Sequence, residues 1–147
     1  MELYRITTSK WAGELSGLGY PARWNSKGVF VIYTASSRAL ACLENLVHRS
    51  GEGLNGNFKI TVINVPENAS SEQISDDELP DMWFKRNGFS ICRKLGDEWI
   101  KNGNSLLLRV PSSIIRDETN VLINPNHPEF DAVFVKEICD FEFDDRL

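Results

Sequence analysis

A strand followed by an amphipathic helix is the feature that most constrains this fold. Val29 to Thr34 reads Val-Phe-Val-Ile-Tyr-Thr. It is apolar enough along its length to form a strand buried on both faces. Ser36 and Ser37 offer an N-cap. From Arg38 to Arg49, Ala39, Leu40, Leu43, Leu46 and Val47 recur at helical spacing on one side. Ser50-Gly51-Glu52-Gly53 stops that helix. Beside the apolar stripe sits Glu44, and a carboxylate there costs free energy unless something pairs with it.

Two more polar residues flank this unit. Arg23 lies in Pro21-Ala22-Arg23-Trp24-Asn25, and Tyr33 ends the apolar run. One reading is a buried Arg23–Glu44 ion pair that holds a strand to a helix. The other is a site for a small charged ligand. Arginine forks onto phosphates and carboxylates. Tyrosine stacks on a flat ring and hydrogen-bonds through its hydroxyl. With a carboxylate able to stabilise a developing cation, the three fit a nucleotide-sugar site better than a metal or acyl-transfer site.

The rest of the chain predicts an α+β layout. Leu3–Thr7 and Phe58–Val65 read as strands, and Ala12–Ser26 as a long loop rich in glycine and proline. Glu67–Glu78 is a polar connector with one helical turn. A short helix begins at Asp81 and ends at Gly88; a second covers Ile91–Lys101. Ser105–Val110 is a strand closed by Pro111. Glu118–Leu122 leads into a rigid turn, Asn124-Pro125-Asn126-His127-Pro128. Ala132–Ile138 and Asp140–Phe143 are closing strands. No regular βαβ alternation is present. A chain of 147 residues reads as one compact domain, residues 1–147.

Charge and composition exclude several functions. The net charge of −5 argues against binding the phosphate backbone of a nucleic acid, which needs a Lys/Arg footprint. Cys42, Cys92 and Cys139 are scattered and only two histidines occur, so no metal site is expected. The odd cysteine count suits a reducing cytoplasm. No signal peptide is expected at the N-terminus, and no apolar run approaches the roughly 20 residues of a membrane helix. Gly51-Glu52-Gly53-Leu54-Asn55-Gly56 follows a helix and so fails as a dinucleotide fingerprint. His48 and His127 have no nucleophile partner in sequence. The flanking prolines are an adequate structural account of His127.

The run Arg23-Trp24-Asn25, Gly28, Tyr33, Ala41 and Leu43-Glu44 resembles the first half of the RES domain, the toxin of a RES–Xre type II toxin–antitoxin system. Leu95-Gly96-Asp97-Glu98-Trp99, Ser105 to Ser112, Asn120 to Pro128 and the closing Phe143 to Leu147 resemble its second half. The family is named for an arginine, a glutamate and a serine. The resemblance implies a fold related to ADP-ribosyltransferases and diphtheria-type toxins. It implies NAD⁺ as substrate, with no separate cofactor, and depletion of cellular NAD⁺ as the toxic outcome. It places Glu44, Arg23 and Tyr33 in catalysis. It places Arg5, Arg23, Tyr33, Glu44, Ser105 and Asn124 around NAD⁺, the two arginines on its phosphates. Ser105 is preferred to Ser112, which lies in the same stretch, because it starts the predicted strand. The implied partner is an Xre-type helix-turn-helix antitoxin, and a homodimer is compatible with this picture.

Water and phosphate are acceptors compatible with the sequence, giving hydrolysis or phosphorolysis. ADP-ribosyl transfer to a protein or small molecule is the alternative. A non-catalytic module that binds a nucleotide or an acidic peptide is an alternative of another class.

Overall fold

The computed structural model describes residues 1–17, 19–48 and 56–147. Arg49, the Ser50–Gly53 helix stop and the run 51–55 lie outside the described residues. Seven strands form one sheet: β1 (Glu2–Thr8), β2 (Ile32–Ala35), β3 (Phe58–Asn64), β4 (Ser71–Gln73), β5 (Leu107–Pro111), β6 (Thr119–Ile123) and β7 (Phe134–Phe141). Their order across the sheet is β4-β5-β6-β2-β1-β3-β7. The β4–β5 pair is parallel and the others are antiparallel. Two α-helices are present among the described residues, α1 (Arg38–His48) and α2 (Phe89–Asn102).

The α+β expectation is met, and most elements lie where periodicity put them. The hydroxyl of Ser37 accepts the amide of Leu40 at 3.1 Å and caps α1 as expected. α2 ends at Gly103, whose φ of 60° needs the left-handed region that glycine enters freely. Four local expectations are corrected. β4 arises inside the polar connector, where three exposed residues carry no apolar signal. The segment from Asp81 forms turns and then a 3₁₀ turn at Arg86–Gly88. Thr119–Ile123 is a full strand. The two closing strands are one, β7, which crosses a bulge opposite Val62 and Ile63.

Cross-strand partners share a face, so the pairing register sorts the core. Leu3, Ile32, Ile63, Val121 and Ile123 pack together on one face. The other face carries two clusters. Ile6, Ala35 and Ile60 pack with Leu40 and Ala41 of α1. Val31, Leu108, Val110 and Leu122 pack with Trp24, Trp83, and Cys92 and Trp99 of α2. Both helices therefore cover the same face, and the ground between their clusters is where a cleft forms.

Candidate active site

A cavity of about 290 Å³ opens in that ground. β1 and β2 pair only at Tyr4 opposite Ala35. Beyond that pair, Arg5 and Ile6 on one strand and Tyr33 and Thr34 on the other border the cavity. Ala41, Glu44, Asn45 and His48 of α1 form a second wall, and Ala22, Arg23 and Trp24 a third. Asn45 donates its Nδ2 to the carbonyl of Ile6 at 3.0 Å, tying α1 to the strand segment β2 has left.

Glu44 is the most tightly held carboxylate of this wall. Its Oε1 accepts from Ser112 Oγ at 2.7 Å and from Asn120 Nδ2 at 2.6 Å. Ser112 in turn accepts the amides of Ile114 at 3.1 Å and Ile115 at 3.2 Å. Its one hydroxyl proton is thus committed to Glu44. The other oxygen, Oε2, lies 3.5 Å from His48 Nε2, one helical turn on. Burial pushes the Glu44 carboxyl up, but hydrogen bonds from His48, Asn120 and Ser112 outweigh it and hold the group below the usual carboxylate range. Glu44 is ionised at neutral pH, with one oxygen saturated.

The third wall is held by Tyr33 from beneath. Its hydroxyl donates to Asn25 Oδ1 at 2.6 Å and accepts the Trp24 amide at 3.0 Å. Asn25 Nδ2 spans the loop, donating to Tyr20 O at 2.7 Å and Val29 O at 2.9 Å. From α2, Arg93 Nε reaches Ala22 O at 2.7 Å, and Asp97 accepts the Ser26 amide at 2.9 Å. Gly96 lets α2 approach: a Cβ there would lie 1.8 Å from Trp24 O. Burial pushes the Tyr33 phenol far up, so it stays protonated, a donor to Asn25 rather than a base.

Arg23 and Glu44 do not pair. The Arg23 guanidinium donates to Trp83 O at 2.9 Å, Phe84 O at 3.0 Å and Lys85 O at 3.4 Å, and lies 4.4 Å from the Phe89 ring centroid. The ion-pair reading is corrected: Arg23 is satisfied by backbone carbonyls, and Glu44 by Ser112, Asn120 and His48. Arg5 borders the cavity, yet strand alternation turns its side chain to the face of Leu3, away from α1. There it donates to Glu14 O at 3.2 Å. Burial there disfavours its charged form, partly offset by the Glu14 charge.

Ser105 and Asn124 fall outside the cavity lining. Ser105 precedes β5 and is buried; its hydroxyl accepts from Trp99 Nε1 at 2.9 Å and donates to Glu72 Oε2 at 2.7 Å, fastening the edge strand β4. Asn124 is buried and accepts the Asn126 amide through Oδ1 at 3.0 Å, which shapes the turn. Sequence reasoning missed Asn120, Asn45 and Ser113, which line the cavity. Asn45, next to Glu44 and facing β1, was the one with a local signal. Among the described residues no His/Cys/Asp/Glu group could hold a metal ion.

A family model described as the RES domain matches residues 2–144. The chain belongs to the RES domain family. The Prs ADP-ribosylating toxin of Sphingobium sp. (strain YBL2) is 37% identical over 157 residues, covering 97% of this chain and 98% of the relative. Toxin Res of Photorhabdus laumondii subsp. laumondii is 36% identical over 154 residues, covering 100% and 97%. Toxin Res of Yersinia enterocolitica is 34% identical over 152 residues, covering 100% and 99%. The fold is similar to a chain in the crystal structure of the M. tuberculosis MbcT–MbcA toxin–antitoxin complex. Its TM-score is 0.76 at 16% identity, over 96% of this chain and 84% of that one. Of the two serines in the RES stretch, Ser112 is the one that touches Glu44. No helix among the described residues is long and apolar enough to cross a membrane.

Proposed function

We propose that this RES domain is a toxin that consumes NAD⁺ by breaking the nicotinamide–ribose bond. The observation that carries the reading is an ionised Glu44 on the wall of a largely apolar cavity. Its Oε1 is saturated by Ser112 and Asn120, and its Oε2 is met only by the exposed His48 at 3.5 Å, itself a residue of the cavity wall. The bond breaks toward an oxocarbenium-like state, as glycosidic bonds do. A carboxylate fixed beside that state stabilises it without reorganising. Nicotinamide leaves neutral, so no strong general acid is required, and the protonated Tyr33 is not asked to be one.

Two side-chain amides of the wall are also held in place. Asn120 Nδ2 is committed to a carboxylate and Asn45 Nδ2 to a carbonyl, both acceptors only, which fixes the two amides. Among the described residues their Oδ1 atoms are buried and have no hydrogen-bond partner. Trp24, Tyr33 and Ile6 give a flat ring an apolar surround.

A relative whose name includes "ADP-ribosylating" favours a second reading, transfer to a protein. Mass spectrometry of NAD⁺ products separates the outcomes. ADP-ribose marks hydrolysis, ADP-ribose 1″-phosphate in phosphate buffer marks phosphorolysis, and a protein mass gain marks transfer. Absence of released nicotinamide leaves a binding module. The toxin would act in the cytoplasm, where NAD⁺ is drawn, and an Xre-type antitoxin would neutralise it by covering the cavity. Co-purification with that antitoxin and loss of nicotinamide release in the complex test this part.

A further inference from the structure

Resting on NAD⁺ as the substrate, we propose that Arg93 and Arg116, set against Phe89 and Phe84, hold the pyrophosphate and adenosine half of the dinucleotide on the cavity rim. The cavity, about 290 Å³, lies just below the roughly 300–1,000 Å³ of small-ligand pockets. It has room for a nicotinamide–ribose end and not for a whole dinucleotide. The remainder, two phosphates and a second nucleoside, must lie outside and needs cations.

The two arginines expected to meet those phosphates are engaged elsewhere. Arg5 turns to the opposite sheet face, and two nitrogens of Arg23 are taken by three carbonyls. What Arg23 does instead is fasten Trp83–Lys85 beside the cavity. None of Phe84, Phe89, Arg93 and Arg116 lines the cavity, but cations and rings gather next to Arg23 and Ala22, which do. Arg116 lies 4.7 Å from the Phe84 ring, and Phe84 packs edge-on to Trp83 at 6.2 Å. Arg23 sits over both Trp83, at 5.7 Å, and Phe89, at 4.4 Å, and Arg93 is 5.3 Å from Phe89. Arg93 is joined to the cavity wall through Ala22 O, a bond that uses only its Nε and leaves both terminal nitrogens as donors.

The charge pattern points the same way. The chain carries 21 acidic residues against 16 lysines and arginines. Yet among the described residues neither Arg93 nor Arg116 forms an ion pair. Two unpaired guanidiniums stacked on rings, in an acidic protein, match a ligand with two phosphate charges and a flat base.

ADP is the probe, since it has the pyrophosphate and adenosine and lacks nicotinamide. Calorimetry should show ADP binding to the unaltered protein. Arg116→Ala and Arg93→Ala should each weaken it by about 10–100-fold, the loss of a charge-assisted contact. Arg116 is exposed, so its variant keeps the fold. Lys59→Ala, on the sheet's other side beside Asp140, should bind ADP as before. If ADP does not bind, or binds Arg116→Ala as tightly as the unaltered protein, the proposal is overturned. Nicotinamide release by the unaltered protein is measured separately. Release with normal KM in the arginine variants sinks the rim site and spares the proposed reaction. Arginine-dependent ADP binding without release does the reverse.

Discussion

Ser112 gives its hydroxyl proton to Oε1 of Glu44 across 2.7 Å, while its oxygen accepts two backbone amides of the turn that follows. The turn between β5 and β6 and the carboxylate on α1 are thereby one unit. Ser112→Ala should remove a donor from a half-buried carboxylate and leave two amides short of an acceptor. The expected cost is about 1–3 kcal/mol in stability, with turnover per folded molecule also reduced. Ser105→Ala should cost similar stability and leave turnover per folded molecule near normal, because Ser105 touches Trp99 and Glu72 and no cavity residue. Thermal melts with single-turnover assays read both; equal loss of turnover in the two variants would contradict the assignment.

Arg23→Ala should lower the melting temperature, through the carbonyls of Trp83, Phe84 and Lys85 rather than through Glu44. Each lost hydrogen bond to a charged group is worth about 1.5–3 kcal/mol. Because the two residues do not touch, Arg23→Ala and Glu44→Gln should add in stability to within about 0.5 kcal/mol. A larger coupling in the double-mutant cycle would restore the direct ion pair.

How much of this was legible follows from where the signals were local. α1, with its cap and stripe, and β1, β3 and β5, with their apolar runs, could be read from short windows. β4 could not: its three exposed residues are set by a parallel pairing with β5 across more than thirty positions of chain. Glu44 and Tyr33 were legible because one strand–helix unit carries both. The choice between Ser105 and Ser112 was not, because both end the same strand region. Only the register decides it: Pro111 pairs with Thr119, and Asn120 with Ala35, which delivers the far end of β5 to α1.

Tyr33→Phe should disturb the loop more than the cavity floor. It strips the Trp24 amide of its acceptor and Asn25 Oδ1 of its donor. A loss of about 1–3 kcal/mol is expected, with faster amide exchange across 20–29 than elsewhere. Unchanged exchange there would separate Tyr33 from the loop.

The depressed Glu44 pKa fixes a pH response. A carboxyl whose folded pKa lies below its unfolded value adds stability that is fully present above the unfolded value, and loses it as pH falls through the folded one. The reference value is 4.5, so Glu44 contributes fully at neutral pH and loses its contribution below that value. The acid limb of turnover should likewise lie below 4.5. Asn120→Ala, which removes one donor to Oε1, should move that limb upward. A limb that stays put would mean Glu44 does not control it.

The central claim is that an ionised Glu44 drives cleavage of the nicotinamide–ribose bond, and Glu44→Gln tests it most directly. Nicotinamide release from NAD⁺ is measured by mass spectrometry for the unaltered protein and the folded variant. The unaltered protein should release nicotinamide. The variant should lose on the order of 10²–10³ in turnover, as removal of a preorganised charge-stabilising group does, with a smaller change in NAD⁺ affinity. Near-normal release by a folded Glu44→Gln protein, or none by the unaltered protein, would contradict the account.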